Sequence, residues 1–200
     1  MAPRRAAIVA LLSGVALSFA YPEADLAPLA WVAIAPLLVV TRGASWGSGA
    51  RLGFLFGVGF FGSLLVWVSI VGWVAWAILV VYQSAFIGAF AAAWAVLSRD
   101  RSTSRRVALA AALWAAFEFI RAAVPVFGFP WGQLAQSQHD LLWMLRVAGL
   151  GGGLFLGFIV VAINALIAES VIALRRSARR HALIPIAAAI VLVLAPMLLP

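Results

Sequence analysis

Leu52-Gly53-Phe54-Leu55-Phe56-Gly57-Val58-Gly59-Phe60-Phe61-Gly62 begins a run of 47 residues, 52–98, without one charged side chain. A helix crosses the hydrocarbon of a bilayer in about 20 apolar residues. The run is too long for one crossing and suits two, divided near 69–73, where Gly72 and the neighbouring aromatics fit an interfacial turn. Inside it, Gly53 and Gly57 stand one helical turn apart. That spacing lets a second helix approach closely, which is how helices associate where lipid removes the hydrophobic drive. The lone amides of Gln83 and, farther on, Asn164 are read as hydrogen-bond partners between helices.

Working outward, two shorter uncharged stretches, 6–22 and 26–41, precede the run and are joined by a turn that contains Pro22 and Pro28. Three more apolar spans follow: 107–124, which carries Glu118 and Arg121, then 147–168 and 181–200, which are free of acids and bases other than His181. With 52–72 and 74–98 they make about seven transmembrane helices. The expectation is a single all-α domain over 1–200, a multi-pass integral membrane helical bundle. Residues 1–20 also carry signal-peptide features, with Arg4 and Arg5 ahead of an apolar stretch that ends Ser18-Phe19-Ala20. The next apolar run follows at once, which favours a helical hairpin.

The whole chain agrees with this reading. It is 66% hydrophobic and 10% charged, with a mean hydropathy of +1.13, whereas a soluble domain is about one quarter charged. Soluble globular, disordered, fibrous and coiled-coil classes are excluded. All 14 basic residues are Arg, Lys and Cys are absent, and the net charge is +8. The missing cysteines remove a disulfide framework, a thiolate metal site and a thiol nucleophile from these residues. The arginines stand in short knots between apolar runs, so they do not form a nucleic-acid footprint. Under the positive-inside rule a cytoplasmic amino terminus puts 12 of the 14 inside, leaving Arg121 and Arg146 outside. An odd number of spans then places the carboxyl terminus outside. The knot around Arg175, Arg176, Arg179 and Arg180 holds orientation and can touch anionic lipids.

Residues 125–146 form the most informative segment. Two prolines and two glycines, Pro125, Gly128, Pro130 and Gly132, forbid a continuous helix, yet Phe129 and Trp131 keep the stretch apolar. It is expected to be an extracytoplasmic loop at headgroup level, where aromatics anchor and Gln133 and Gln136 meet polar groups. Glu118 and Arg121, three apart, share one helical face near the outer end of their span. They are read either as a structural ion pair or as the polar lining of a headgroup site. His139 and His181 lack partners at ligand spacing, so no metal site is expected. The cluster Gly149 to Gly153 has no strand before it and is read as a flexible helix start or a close-packing point. No Ser-His-Asp set, carboxylate pair at common depth or transporter-like repeat is visible.

Several of these stretches together resemble the amino-terminal membrane region of bacterial apolipoprotein N-acyltransferases. The resemblance rests on Leu29-Ala30-Trp31-Val32-Ala33-Ile34-Ala35-Pro36-Leu37-Leu38 and on the Gly53 to Gly62 run. It rests also on Trp114-x-x-x-Glu118-x-x-Arg121 followed by Gly128-Phe129-Pro130-Trp131 and Gln136, and on Asn164-Ala165-Leu166. It implies an enzyme of the bacterial inner membrane whose nitrilase-like domain lies outside. That domain loads an acyl chain from phospholipid onto a Cys, assisted by a Glu base and a Lys. The chain then passes to the amine of the diacylglyceryl cysteine that begins a lipoprotein. No cofactor is implied. With no Cys or Lys in these 200 residues, none of the family's catalytic residues carries over, and the chain is expected not to acylate alone. Its nitrilase-like part is expected to be missing or separate. Glu118, Arg121, Phe129, Pro130, Trp131, Gln133 and Gln136 remain as candidates for lipid and substrate access, and Gly53, Gly57 and Asn164 for helix packing. Two other readings stand beside this one: a non-catalytic lipid- or partner-binding protein of the same descent, and a small transporter or scaffold. Sparse intramembrane charge counts against transport.

Overall fold

The structure is a computed structural model that describes residues 2–124, 128–176 and 179–198. The first three residues of the expected loop, 125–127, and the last two of the expected final span, 199–200, lie outside the described residues. The described residues contain seven α-helices and no strand: α1 (Pro3–Ser18), α2 (Ala35–Thr41), α3 (Trp46–Leu64), α4 (Trp73–Leu97), α5 (Thr103–Ala123), α6 (Leu142–Arg175) and α7 (Arg179–Leu194). Short 3₁₀ turns at Ala27–Trp31, Val66–Ile70, Leu134–Gln138 and Ala195–Leu198 join or finish them. By length and composition α4, α6 and the stretch His181–Leu198 are each long and apolar enough to cross a membrane. Many apolar side chains face outward, Ile70, Val71, Val74 and Ile184 among them. That is what lipid-facing surface requires, since the hydrophobic drive to hide them is absent in hydrocarbon.

The helix bounds depart from the expected spans for local reasons. The stretch 26–41 is not one helix. Pro28 lies in its first 3₁₀ turn and Pro36 in the first turn of α2, so the chain cannot carry a ladder of hydrogen bonds from one to the other. α3 begins at Trp46 rather than 52 because Ser45 caps it, its Oγ accepting from Ser48 N at 3.3 Å. α6 begins five residues before the expected 147, taking the end of 125–146 and Arg146 with it, and runs on to Arg175. It bends where Gly152 adopts φ 75°, a left-handed conformation that glycine tolerates. The glycine cluster, read as a flexible helix start or a close-packing point, is where two helical pieces of α6 meet at a kink, and a Cβ added at Gly153 would lie 3.2 Å from the Ala135 Cβ.

Helix contacts are close where small residues allow it. A Cβ added at Gly53 would sit 2.5 Å from the Ala91 Cβ, and one at Gly57 would sit 2.6 Å from the Ser84 Cα. These glycines therefore set the distance between α3 and α4. Gly59 faces α1 in the same way, its added Cβ 3.1 Å from Val15 N. The core behind these contacts includes Phe56, Phe60, Phe61, Phe90, Trp94 and Trp114.

The broken segment before α2 is held by one side chain. Asn164, in the middle of α6, is fully buried. Its Oδ1 accepts from the backbone N–H groups of Ile34 and Ala35, each at 2.9 Å. Its Nδ2 donates to the carbonyls of Ala30 at 2.8 Å and Val160 at 2.9 Å. All four hydrogen-bonding positions of the amide are occupied. Replacing Asn164 by Leu leaves the buried Ile34 N–H and Ala30 carbonyl without these partners, at about 1–3 kcal/mol each, and leaves the Ala35 N–H with only its 3.2 Å bond to the Val32 carbonyl. The N164L variant is expected to unfold well below the parent temperature in detergent micelles. A melting temperature unchanged by the substitution would remove Asn164 from this role.

Candidate functional site

Glu118 and Arg121 stand on the last turns of α5, at the end of the bundle where the chain passes through 128–141. Both are buried, with 3% and 2% of their surface exposed. They form no ion pair with each other; the charge pairs among the described residues lie elsewhere. Each instead holds a different part of the loop backbone. Arg121 Nη1 donates to the carbonyls of Phe129 at 2.8 Å and Trp131 at 2.7 Å, and reaches the Gln83 Oε1 at 3.2 Å. Its guanidinium also lies over the Phe61 ring, 5.2 Å from the centroid, a cation–π distance. Glu118 Oε1 accepts from the backbone N–H of Leu134 at 2.8 Å. The structural ion pair was one of the two expectations for these residues; the geometry replaces it with a double clamp on one loop.

The loop closes on itself around Gly132. Gln136 Oε1 accepts from Gly132 N at 2.8 Å, and its Nε2 donates to the Pro130 carbonyl at 3.3 Å. The Gly132 carbonyl accepts from Tyr21 Oη at 3.2 Å. Gly132 has φ 77°, and an added Cβ would lie 2.8 Å from the Leu64 side chain, so the position excludes larger residues on both counts. Gln133 precedes the 3₁₀ turn Leu134–Gln138 in extended conformation, its side chain partly exposed. Phe129 is partly buried, whereas Pro130 and Trp131 are exposed. Trp131 has half its surface free and meets the Trp67 ring edge-on at 5.8 Å.

Two contacts of the loop were not singled out from the sequence. Gln138 is buried and joins the loop to the broken segment: its Oε1 accepts from Trp31 Nε1 at 2.8 Å, and its Nε2 donates to the Ala27 carbonyl at 3.4 Å. His139 has partners after all. Its Nε2 lies 3.6 Å from an Asp25 carboxylate oxygen and 3.3 Å from one of Asp140. Ligand spacing along the chain could not reveal Asp25, which the fold brings from far upstream. The three groups are exposed and within 4.8 Å of one another.

Around the clamp the packing is nearly closed. A cavity of only about 10 Å³ lies between Glu118, Arg121, Trp114 and Phe90, room for about one water. Glu118 Oε2 and the Trp114 and Gln83 nitrogens border this region without a formed hydrogen bond. The buried ends of the site therefore shape the loop, and only its outer rim is open to a ligand. A larger apolar recess, about 300 Å³, lies between Trp31, Val32, Ile163, Ile167, Ile186 and Ile190. Trp31 thus touches both the recess and, through Gln138, the loop.

Exchanging Arg121 for Met removes the clamp yet keeps the length of the side chain. Hydrogen–deuterium exchange of R121M should show amide protection lost over 129–138, with α3 and α4 unchanged. Leaving the Phe129 and Trp131 carbonyls without their charged donor costs about 1–3 kcal/mol each, enough to open the loop locally while the helices persist. Equal protection in variant and parent would show that the loop holds its shape without Arg121.

Comparison with known proteins matches this arrangement to one family. Residues 13–166 fit the family of the apolipoprotein N-acyltransferase N-terminal domain. The apolipoprotein N-acyltransferase of Geobacter metallireducens is 33% identical over 175 residues, covering 82% of this chain and 33% of that protein. That of Gloeobacter violaceus is 34% identical over 189 residues, covering 84% and 36%. That of Nostoc sp. is 27% identical over 164 residues, covering 71% and 32%. The chain spans about a third of the length of these relatives. All the clamp residues of α5 and the loop, and Asn164, fall inside the matched range, and the chain belongs to the apolipoprotein N-acyltransferase N-terminal domain family.

Proposed function

We propose that this chain is the membrane-embedded part of an apolipoprotein N-acyltransferase, which moves an acyl chain from phospholipid to the amino-terminal diacylglyceryl cysteine of lipoproteins. It lies in the bacterial inner membrane as a multi-pass bundle. The end bearing 42–45, 98–102 and Arg176 faces the cytoplasm, and the end bearing the loop 128–141 faces outward. Family membership supports the activity, and the positive-inside count supports the orientation. The 200 residues contain neither Cys nor Lys, so a thiol that carries an acyl thioester is not among them. Their part in the reaction is to receive and place lipid.

The observation that carries this reading is the division of the loop into a locked interior and an open rim. Glu118 and Arg121 hold its backbone from below, while Pro130, Trp131 and Gln136 remain accessible above. A rim of this kind, aromatic beside polar, suits the headgroup region, where one end of a ligand is apolar and the other wet. The recess beside Trp31 is lined by aliphatic side chains and fits a stretch of acyl chain. Gln138 ties the two together, so a lipid with its tail in the recess could present its ester region near the rim.

In the complete or reconstituted enzyme, Trp131→Ala should lower acyl transfer about tenfold, equivalent to roughly 1.4 kcal/mol, while the protein still inserts and accumulates normally. Unchanged transfer would leave Trp131 as an interface anchor alone. The orientation has its own test. A reporter active only in the cytoplasm should work when placed at Asp100 and fail at Asp140; the reverse pattern would invert the topology without touching the role of the loop.

A further inference from the structure

At the end of the bundle opposite the loop, five side chains with polar ends converge from three parts of the chain. Arg42 follows α2, Thr103 and Arg106 lie in the first turn of α5, Glu169 lies late in α6, and Arg176 ends it. With His181 of α7 they line a recess of about 220 Å³. Of these only Arg176 was given a role from the sequence, within the knot that holds orientation and can touch anionic lipids, and the loop site uses none of them.

The charges in the recess do not balance. Glu169 is the one carboxylate lining it, and both of its oxygens are already engaged. Arg106 grips them as a fork, Nε to Oε1 at 2.9 Å and Nη2 to Oε2 at 2.6 Å, and spends Nη1 on the Arg101 carbonyl. Thr103 Oγ1 donates to Oε2 at 3.3 Å. Arg42 pairs with Oε1 through Nη1 alone. Among the described residues its other guanidinium nitrogens and the whole Arg176 guanidinium have no acceptor, and the His181 ring has none. Three guanidiniums thus face one carboxylate. Burial works against the charge on Arg42 and pulls its pKa down; Glu169 opposes that, and the Arg106 and Arg176 guanidiniums add to it. A second anion would relieve the excess.

We infer that this recess is a binding site for a phosphate group, taking the headgroup of an anionic phospholipid. Phosphate presents several acceptor oxygens and one or more negative charges, which match the free nitrogens of Arg42 and Arg176. Arg106 and Glu169 act as a neutral wall that fixes Arg42 in place. The site is separate from lipid access at the loop and stands whether or not that reading holds.

The test uses the 200-residue chain in a non-ionic detergent, titrated with short-chain phosphatidylglycerol, short-chain phosphatidylcholine and inorganic phosphate, and followed by calorimetry. Phosphatidylglycerol should bind and phosphatidylcholine should not. Arg176→Gln, an exposed position that should not disturb folding, and Arg42→Gln should each weaken binding about tenfold, the loss of a charge-assisted hydrogen bond. Arg51→Gln, exposed near the same end but outside the recess, should leave it unchanged. Competition by inorganic phosphate would support recognition of the phosphate group itself. Binding of inorganic phosphate without phosphatidylglycerol would keep the site and make its ligand a free anion. Equal binding of both lipids with none of inorganic phosphate, or equal weakening by Arg51→Gln and Arg176→Gln, would overturn the proposal and leave only diffuse attraction between a basic end and an anionic surface.

Discussion

A backbone N–H or C=O buried away from water without a partner costs about 1–3 kcal/mol in a protein interior, and inside a bilayer no water can enter to relieve it. An unbroken helix meets this demand by itself. Wherever this chain departs from a helix within its apolar bundle, some side chain must meet it instead. The break before α2 is met by Asn164, and the loop after α5 by Arg121, Glu118 and Gln136. These few polar side chains are thus conditions for the irregular backbone to exist. Their positions explain why a chain only 10% charged keeps an acid and a base buried side by side.

The same demand separates the two ends of the bundle. At the loop end, the buried Arg121 and Glu118 spend most of their hydrogen bonds on backbone, and their opposite charges on one helical face balance without touching. At the other end, Arg42 and Arg106 meet the carboxylate of Glu169 instead. Between the ends, packing relies on glycine and alanine. Gly53 and Gly57 bring α3 against α4 so closely that a Cβ at either would collide. A shallow apolar core that is close-packed in this way keeps its helices in register without a large hydrophobic drive.

Much of this was legible from the residues. Long apolar runs gave α3, α4, α5, α6 and α7 their rough places, because hydrophobic length is a direct readout of bilayer thickness. Glu118, Arg121 and Gln136 stood out because ionisable and amide groups are costly among apolar neighbours. What they bond to was not legible. An i, i+3 spacing suggests that two side chains meet each other, and it cannot show that a loop ten residues later offers them better partners. The break at 32–34 is not legible for a related reason: Pro28 and Pro36 flank it, but 26–41 has the length of one short crossing, and only the distant Asn164 makes a broken one tolerable. Glu169 was passed over because it closes an apolar run; matching its depth to Arg42 and Arg106 requires the fold.

The link between Gln138 and Trp31 joins these separate features into one mechanical unit. Asn164 fixes the broken segment, the segment carries Trp31, Trp31 donates to Gln138, and Gln138 ends the 3₁₀ turn whose first N–H belongs to Glu118. A helix in place of the break would turn the 27–31 backbone away from the loop and leave Gln138 buried without its partners. Irregular backbone at two depths is therefore a single device, because neither piece is fully hydrogen-bonded without the other. Under the proposed lipid-receiving role, the domain needs an opening that does not collapse when the lipid leaves. Hydrogen bonds from buried side chains supply that rigidity where apolar packing alone, free to slide along a uniform lipid-like surface, would not.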